Sequence, residues 1–253
     1  MLKTNYTKVS KVYDKNSTRK TFAKDEDIGT LLAENGKITV LDLGCGTGNW
    51  LDCQQQYYKD DSITWIGLDA SAAMLQKAKE KNLHTEFQVK KAEELDFKEC
   101  IGLLVCNFAF HHFEDKNRAL ERIHAALSAN GMFKYRNIEP ESMKDWWVYQ
   151  FCPEAYYEDM HRFWPKDLLS YELQKHGFCS VTIKREYYES SKPLEALYEL
   201  YKQRDISQLA MMDDAIYSKG MERMESALQA GKTECRDCIA FLDIACRKAR
   251  QAT

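Results

Sequence analysis

The segment Val40-Leu41-Asp42-Leu43-Gly44-Cys45-Gly46-Thr47-Gly48 is where residue types and spacing point most directly to chemistry. An apolar run leads into glycines at every second position. Glycine lets the backbone take positive φ and approach a ligand closely. A helix beginning beyond the turn would offer it unpaired N–H groups. A second acid, Asp69, follows the next apolar run, where a carboxylate can accept hydrogen bonds from ribose hydroxyls. The pattern predicts a nucleotide-like cofactor. It departs from the dinucleotide spacing G-x-G-x-x-G, whose third glycine would be sought where Asn49 and Trp50 stand. The plainer alternative is an ordinary tight turn, and the full string from Asp42 with its downstream acid argues against it.

Other groups could meet a substrate. Asn107-Phe108-Ala109-Phe110-His111-His112-Phe113 carries a histidine pair. Imidazole can act as general base or hold a polar group; alternatively one ring packs inside and the other faces water. Residues 141 to 165 are crowded with rings, including Trp146, Trp147, Tyr149 and Tyr156. Such rings can wall an apolar or cationic substrate or form a satellite core, and a mixture is expected. Arg162 could receive a carboxylate or lie plainly at the surface. Cys235-x-x-Cys238 lacks the partner cysteines or histidines of a zinc site, so no metal is expected. Cys106, Cys152 and Cys179 are a further thiol set that could converge.

These groups need a frame. Ile38–Leu43, Ile63–Leu68, His84–Val89, Ile101–Asn107 and Met132–Ile138 read as strands. Between them Asn49–Tyr58, Ser71–Lys81 (with Ser71 as N-cap) and Asp115–Leu127 read as helices. That alternation predicts a parallel, doubly wound sheet. Residues 1 to 36 are expected to be largely helical. Beyond Pro140 the rhythm breaks: a helix over Lys166–His176, a strand over Phe178–Tyr188, two helices within 193–230 and a last strand over Ile239–Cys246, expected as an edge hairpin partner.

The string LDLGCGTG followed by GLDAS-x-x-ML resembles the cofactor half of class I S-adenosylmethionine-dependent methyltransferases, most nearly the small-molecule, ubiquinone-biosynthesis-like branch. The resemblance covers residues 36 to 138 well and 166 to 188 more loosely. It implies a Rossmann-like α/β fold: a seven-stranded, mostly parallel sheet of order 3-2-1-4-5-7-6 with the final strand antiparallel, helices on both faces and a helical, aromatic-rich cap. One domain over 1–253 is expected, with 1–36 as an N-terminal lid segment and 141–165 and 190–232 as cap insertions. By position, Asp42, Gly44, Cys45 and Gly46 would serve the methionyl end of the cofactor and Asp69 its ribose. Ala70 and Met74 would touch the adenine, and Ala92 and Glu93 would flank its amino group. Asn107 would line the pocket near the sulfonium. Lys91 stands where many relatives carry an acid. Tyr13-Asp14 resembles the segment that closes over the cofactor, and Arg19 either pairs with the cofactor carboxylate or belongs to a solvated helix face. A hydroxyl acceptor would need a base, for which His111, His112 and Tyr13 are the candidates. The implied reaction is in-line transfer of a methyl group from S-adenosyl-L-methionine to a small molecule. An RNA or tRNA methyltransferase and a cofactor-binding protein without catalysis are the rivals.

Composition narrows these further. Apolar residues make up 44% and charged residues 30%, with a net charge of −3, which suits a packed core and gives no basic excess for nucleic acid. The polar start lacks the apolar core of a signal peptide, no run is long enough to span a bilayer, and nine scattered cysteines suggest reduced thiols. A cytoplasmic enzyme is expected, with no forecast of its oligomeric state.

Overall fold

The computed structural model describes Asp14, residues 22–204 and residues 206–249. Along the chain run α1 (Glu26–Asn35), β1 (Ile38–Leu43), α2 (Asn49–Tyr57), β2 (Ile63–Asp69), α3 (Ala72–Lys79), β3 (Thr85–Val89), β4 (Ile101–Asn107), α4 (Lys116–Ala126) and β5 (Leu127–Ile138). They are followed by α5 (Trp147–Phe151), α6 (Pro153–Arg162), α7 (Lys166–Lys175), β6 (Phe178–Pro193), α8 (Leu194–Gln203), α9 (Ser207–Ala210), α10 (Asp214–Gln229) and β7 (Glu234–Lys248). The sheet has seven strands in the order β3-β2-β1-β4-β5-β7-β6.

The first five strands are parallel, with Val40 level with Trp65 on one side and Leu103 on the other. Central β1 and β4 are buried almost throughout, as strands covered on both faces must be. β7 runs against its neighbours. Its Cys246 thiol donates to the Phe133 carbonyl while its Ala240 carbonyl accepts from the Glu139 N–H, and Thr182 Oγ1 donates to the Ala245 carbonyl while Ser191 Oγ donates to the Glu234 carboxylate, so residue numbers fall along β7 as they rise along β5 and β6.

Several boundaries differ from the sequence reading. β5 begins at Leu127 instead of Met132, because a register shift against Ile101–Leu103, with Asn130 at φ 65°, carries the pairing across an irregularity. β7 extends to 234–248 because its alternating burial continues through Cys235, Asp237 and Lys248, whose long or paired side chains bury despite their polarity. It is not at an edge: β7 lies between β5 and β6, and β6 is the edge strand. Where two helices were expected within 193–230 there are three. Arg204 in the left-handed region ends α8, and the Asp213 carboxylate opens α10 by accepting from the Ile216 N–H at 2.8 Å. Ser71 caps α3 as expected, accepting from the Met74 N–H.

The chain divides into two compact units. One comprises described residues up to 137 with 166–184 and 243–249; its core gathers Val40, Leu51, Trp65, Leu75, Leu103 and Val105. The other comprises 138–165 and 185–242, with a core of Trp146, Trp147, Tyr149, Phe151, Leu197, Tyr201 and Met224. No helix among the described residues is long and apolar enough to cross a membrane.

Candidate cofactor site

Strand β1 ends at Leu43, and the chain turns through Gly44, Gly46 and Gly48, all at positive φ, before α2 begins. Gly44 has a second constraint: a Cβ there would lie 2.3 Å from the Ala109 Cβ. The turn and the segment after β4 therefore touch at a point only glycine fits. At Gly46 a Cβ would meet nothing within 4 Å, so the turn is open on that side. The Gly44 and Cys45 N–H groups both donate to the Leu68 carbonyl, at 2.7 and 2.9 Å, which holds the turn against the end of β2.

Asp69 closes that end. Its Oδ2 accepts from the Gly46 N–H at 2.9 Å and its Oδ1 from the Ser71 N–H at 2.8 Å. Burial pushes this carboxyl up, and the Ser71 and Gly46 N–H groups oppose the push. The side chain remains partly exposed, and each oxygen keeps a further lone pair for a ligand hydroxyl. Asp42, beneath the turn, is 2% exposed; burial, with the charge of Asp69 adding to it, pushes its carboxyl up to about 8. The same causes hold the Cys45 thiol well above its ordinary range, burial first and then Asp42 and Asp69, so it stays protonated.

Asp14 reaches the same turn. Its Oδ1 accepts from Thr47 Oγ1 at 2.8 Å and Asn49 Nδ2 at 2.9 Å, while Lys81 Nζ lies 3.7 Å from Oδ2. Thr47, Asn49 and Lys81 were not anticipated. The signal of the first two was local, a hydroxyl and an amide flanking Gly48, the N-cap of α2, whereas Lys81 comes from beyond α3. Tyr13 and Arg19 lie outside the described residues.

Met74 is buried on α3, and Ala70 is exposed just before it. Ala92 is buried in a short 3-10 turn, and the Glu93 carboxylate accepts from the Glu114 and Asp115 N–H groups at 2.7 and 3.0 Å. That side chain is committed to the start of α4. Lys91 pairs with Glu114 at 3.0 Å. Asn107 ends β4, and its buried Nδ2 has no hydrogen-bond partner, an arrangement native interiors rarely leave without a ligand or water. Beyond it Phe108 sits at φ 54° and donates its N–H to the Arg136 carbonyl. His111 is 6% exposed, and its ring lies 3.8 Å from that of His112. Asn137 Nδ2 lies 3.0 Å from His111 Nδ1, a pairing the sequence reading missed.

The residues expected to meet the acceptor lie in the other unit. Trp146, Trp147 and Tyr149 are buried in its core, and Tyr156 is half-buried against them. Arg162 is 2% exposed, which removes the surface alternative of its two readings. Its guanidinium lies 3.5 Å from Asp159 Oδ1, and Asp159 Oδ2 accepts from Tyr149 Oη at 2.7 Å and Gln208 Nε2 at 2.9 Å.

The thiol constellations do not form sites. Cys106 on β4 and Cys179 on β6 are separated by β5 and β7, three strand spacings or ~14 Å. The Cys235 thiol donates to Gln150 Oε1. Among the described residues no group of three or more His, Cys, Asp or Glu side chains is placed to hold a metal. A cleft of about 700 Å³ lies at the other end of the strands, lined by Thr39, Thr64, Cys100 and Gly102. Gly44 follows β1, and Asp69 and Asn107 end β2 and β4, so all three stand at the carboxyl ends, where ligands of open α/β sheets bind.

The chain is similar to known proteins. A family model described as a methyltransferase domain matches residues 40–131. The uncharacterized methyltransferase YcgJ of Bacillus subtilis is 32% identical over 139 residues, 51% of this chain and 53% of that protein. Trans-aconitate 2-methyltransferase of Deinococcus radiodurans is 34% identical over 113 residues, 44% of this chain and 42% of that one. The chain thus spans about half the length of the curated relatives it matches. In structure, YcgJ covers 85% of this chain and 93% of its own at a TM-score of 0.58 and 18% identity. Haemonchus contortus phosphoethanolamine N-methyltransferase 2, solved with phosphomonomethylethanolamine and S-adenosylhomocysteine, covers 85% of this chain and 49% of its own at a TM-score of 0.54 and 18% identity. At such identities the likeness speaks to the fold. The proteins named here are all methyltransferases, and they do not single out the ubiquinone-biosynthesis-like branch.

Proposed function

We propose that the chain carries a class I S-adenosylmethionine-dependent methyltransferase domain and transfers a methyl group from S-adenosylmethionine to a small-molecule acceptor, a reading that the methyltransferase-domain match over residues 40–131 supports. The observation that supports this most is the pairing of the open glycine turn with the Asp69 carboxylate, whose oxygens already brace the Gly46 and Ser71 N–H groups and still have lone pairs to offer. When bound, the cofactor supplies an activated methyl group on a sulfonium leaving group. The chain's work is to bind, orient and keep water away.

In this reading Gly44, Cys45 and Gly46 face the methionyl end, with Asp42 as the buried, protonated floor. Asp69 takes the ribose hydroxyls. Ala70 and Met74 contact the adenine. Ala92 and Glu93 flank its amino group through backbone atoms, because the Glu93 carboxylate is engaged on α4. Asn107 offers its unpartnered Nδ2 near the reacting end. By their places in the sequence, Tyr13 and Arg19, which lie outside the described residues, are assigned to the cofactor. His111, His112 and Tyr13 serve the acceptor. The residues proposed to recognise that acceptor all lie in the second unit, where Tyr156 is half-buried and Trp146, Trp147, Tyr149 and Arg162 belong to its buried wall.

Two measurements test the proposal. Calorimetry should show S-adenosylhomocysteine binding and no comparable NAD binding; the reverse would end it. Incubation with methyl-labelled S-adenosylmethionine and a metabolite extract should move label into small molecules. Label entering RNA instead would favour a nucleic-acid acceptor, and tight binding with no transfer would favour a protein without catalysis.

A further inference from the structure

We infer that Asn137 is a positioning residue that fixes His111 as the tautomer protonated on Nε2, so that His111 acts toward the acceptor as a hydrogen-bond donor and not as its base. The inference about the tautomer stands on geometry alone; its meaning for the acceptor rests on the methyl-transfer reading above.

The chemistry of the two groups leaves little freedom. Asn137 Nδ2 stands 3.0 Å from His111 Nδ1. An amide nitrogen has hydrogens to give and no lone pair to receive with. Nδ1 must therefore be the acceptor, and a neutral imidazole that accepts at Nδ1 carries its hydrogen on Nε2. A doubly protonated ring would set two N–H groups against each other. Burial enforces the match: Asn137 is 1% exposed and His111 is 6% exposed, so water is not at hand to replace a lost bond, and a mispaired polar group in such a place is costly.

The frame holds both partners. Asn107, the last residue of β4, is level with Arg136 on β5, and Asn137 follows directly. The chain beyond Asn107 folds back through Phe108, whose N–H donates to the Arg136 carbonyl at 2.8 Å. Ala109 then abuts Gly44, and the 3-10 turn Phe110–His112 comes next. The His111 ring is thus clamped between the carboxyl end of β5 and the segment that seals the glycine turn. An Nε2–H held there can donate to a lone-pair atom. It cannot take the proton of a hydroxyl, so any acceptor that must be deprotonated loses its proton to another group.

The test needs no knowledge of the acceptor. Long-range nitrogen–proton NMR on chain labelled at its six histidines separates the two tautomers, because a protonated and a bare ring nitrogen differ widely in shift. His111→Gln assigns the signal by its disappearance. The expected result is a neutral His111 ring, protonated at Nε2 and bare at Nδ1. Asn137→Asp should reverse the pattern or protonate both nitrogens, since a carboxylate can only accept. A wild-type ring protonated at Nδ1 would overturn the inference, as would an Asn137→Asp ring that keeps the wild-type pattern. S-adenosylhomocysteine binding, measured on the same samples, reports on the cofactor reading separately and does not depend on the tautomer.

Discussion

Asp69, half-buried, and Asp159, fully buried, are carboxylates of the two compact units, one in each, and they are used differently. Asp69 accepts from two backbone N–H groups close to it in the fold, at Gly46 and Ser71, and stays partly open. Asp159 is 0% exposed and is surrounded by side chains: Tyr149, Gln208 and the Arg162 guanidinium. The first arrangement stiffens a turn while leaving acceptor capacity for a ligand. The second closes a polar cluster inside an aromatic core, where breaking one partner leaves the others exposed to an apolar surround. A carboxylate braced by backbone reads as a site, and one enclosed by side chains reads as architecture.

Four substitutions test that contrast, taken from the largest effect down. Trp147→Ala, at the centre of the second core, should lower stability by about 3–5 kcal/mol, seen as an earlier urea midpoint, while S-adenosylhomocysteine affinity changes less than twofold. A stable variant with altered turnover would move Trp147 from the wall to the substrate.

Asp69→Ala should weaken cofactor binding by roughly ten- to a hundred-fold, the equivalent of about 1.5–3 kcal/mol. The free protein should also melt earlier, because the Gly46 and Ser71 N–H groups lose their acceptor. Unchanged affinity would remove Asp69 from the site.

The pH dependence of stability offers a third handle. The folded Asp42 carboxyl is raised to about 8 and Asp159 to about 6, both from 3.8, by burial first. Each therefore holds its proton in the folded chain after the unfolded chain has lost it. Stability should fall as pH rises through that window, from about 4 to 8 for Asp42. Asp42→Asn should flatten the slope of urea midpoint against pH, most of all between about 6 and 8, where Asp159 no longer contributes. An unaltered slope would mean that Asp42 ionises normally.

The smallest effect belongs to Ser71→Ala. Its Oγ accepts from the Met74 N–H at 3.4 Å, a long bond, so the loss should be about 0.5 kcal/mol. Cofactor affinity should hold, since Asp69 binds the Ser71 backbone and not its side chain. A large loss of affinity would show that Ser71 shapes the pocket itself.

What could be read in the sequence follows the same division. The glycine turn, Asp69 and the Ser71 cap are local patterns, each written within a few residues, and the strands around them carry unbroken apolar runs. The 3-2-1-4-5-7-6 order came from resemblance, since nothing in the residues of β7 says that it inserts between β5 and β6. The Asn137–His111 pair was invisible because its partners meet only once β4 and β5 are aligned with Asn107 beside Arg136. The two readings of Arg162 stayed open in the sequence because Asp159, one turn earlier on α6, gave no sign that it would be enclosed by Tyr149 and Gln208.

The place of β7 also orders events in time. It is the last strand along the described chain, yet it fills the position between β5 and β6. Until residues 234–248 have left the ribosome, β5 carries an open flank and the sixteen-residue β6 has no strand to pair with. Both are then templates for stray pairing. The sheet cannot be completed in the order in which it is made, so its outer strands wait on a long-range closure, the slow kind of step in folding. A stalled or shortened product would be exposed at its middle and not merely frayed at one end.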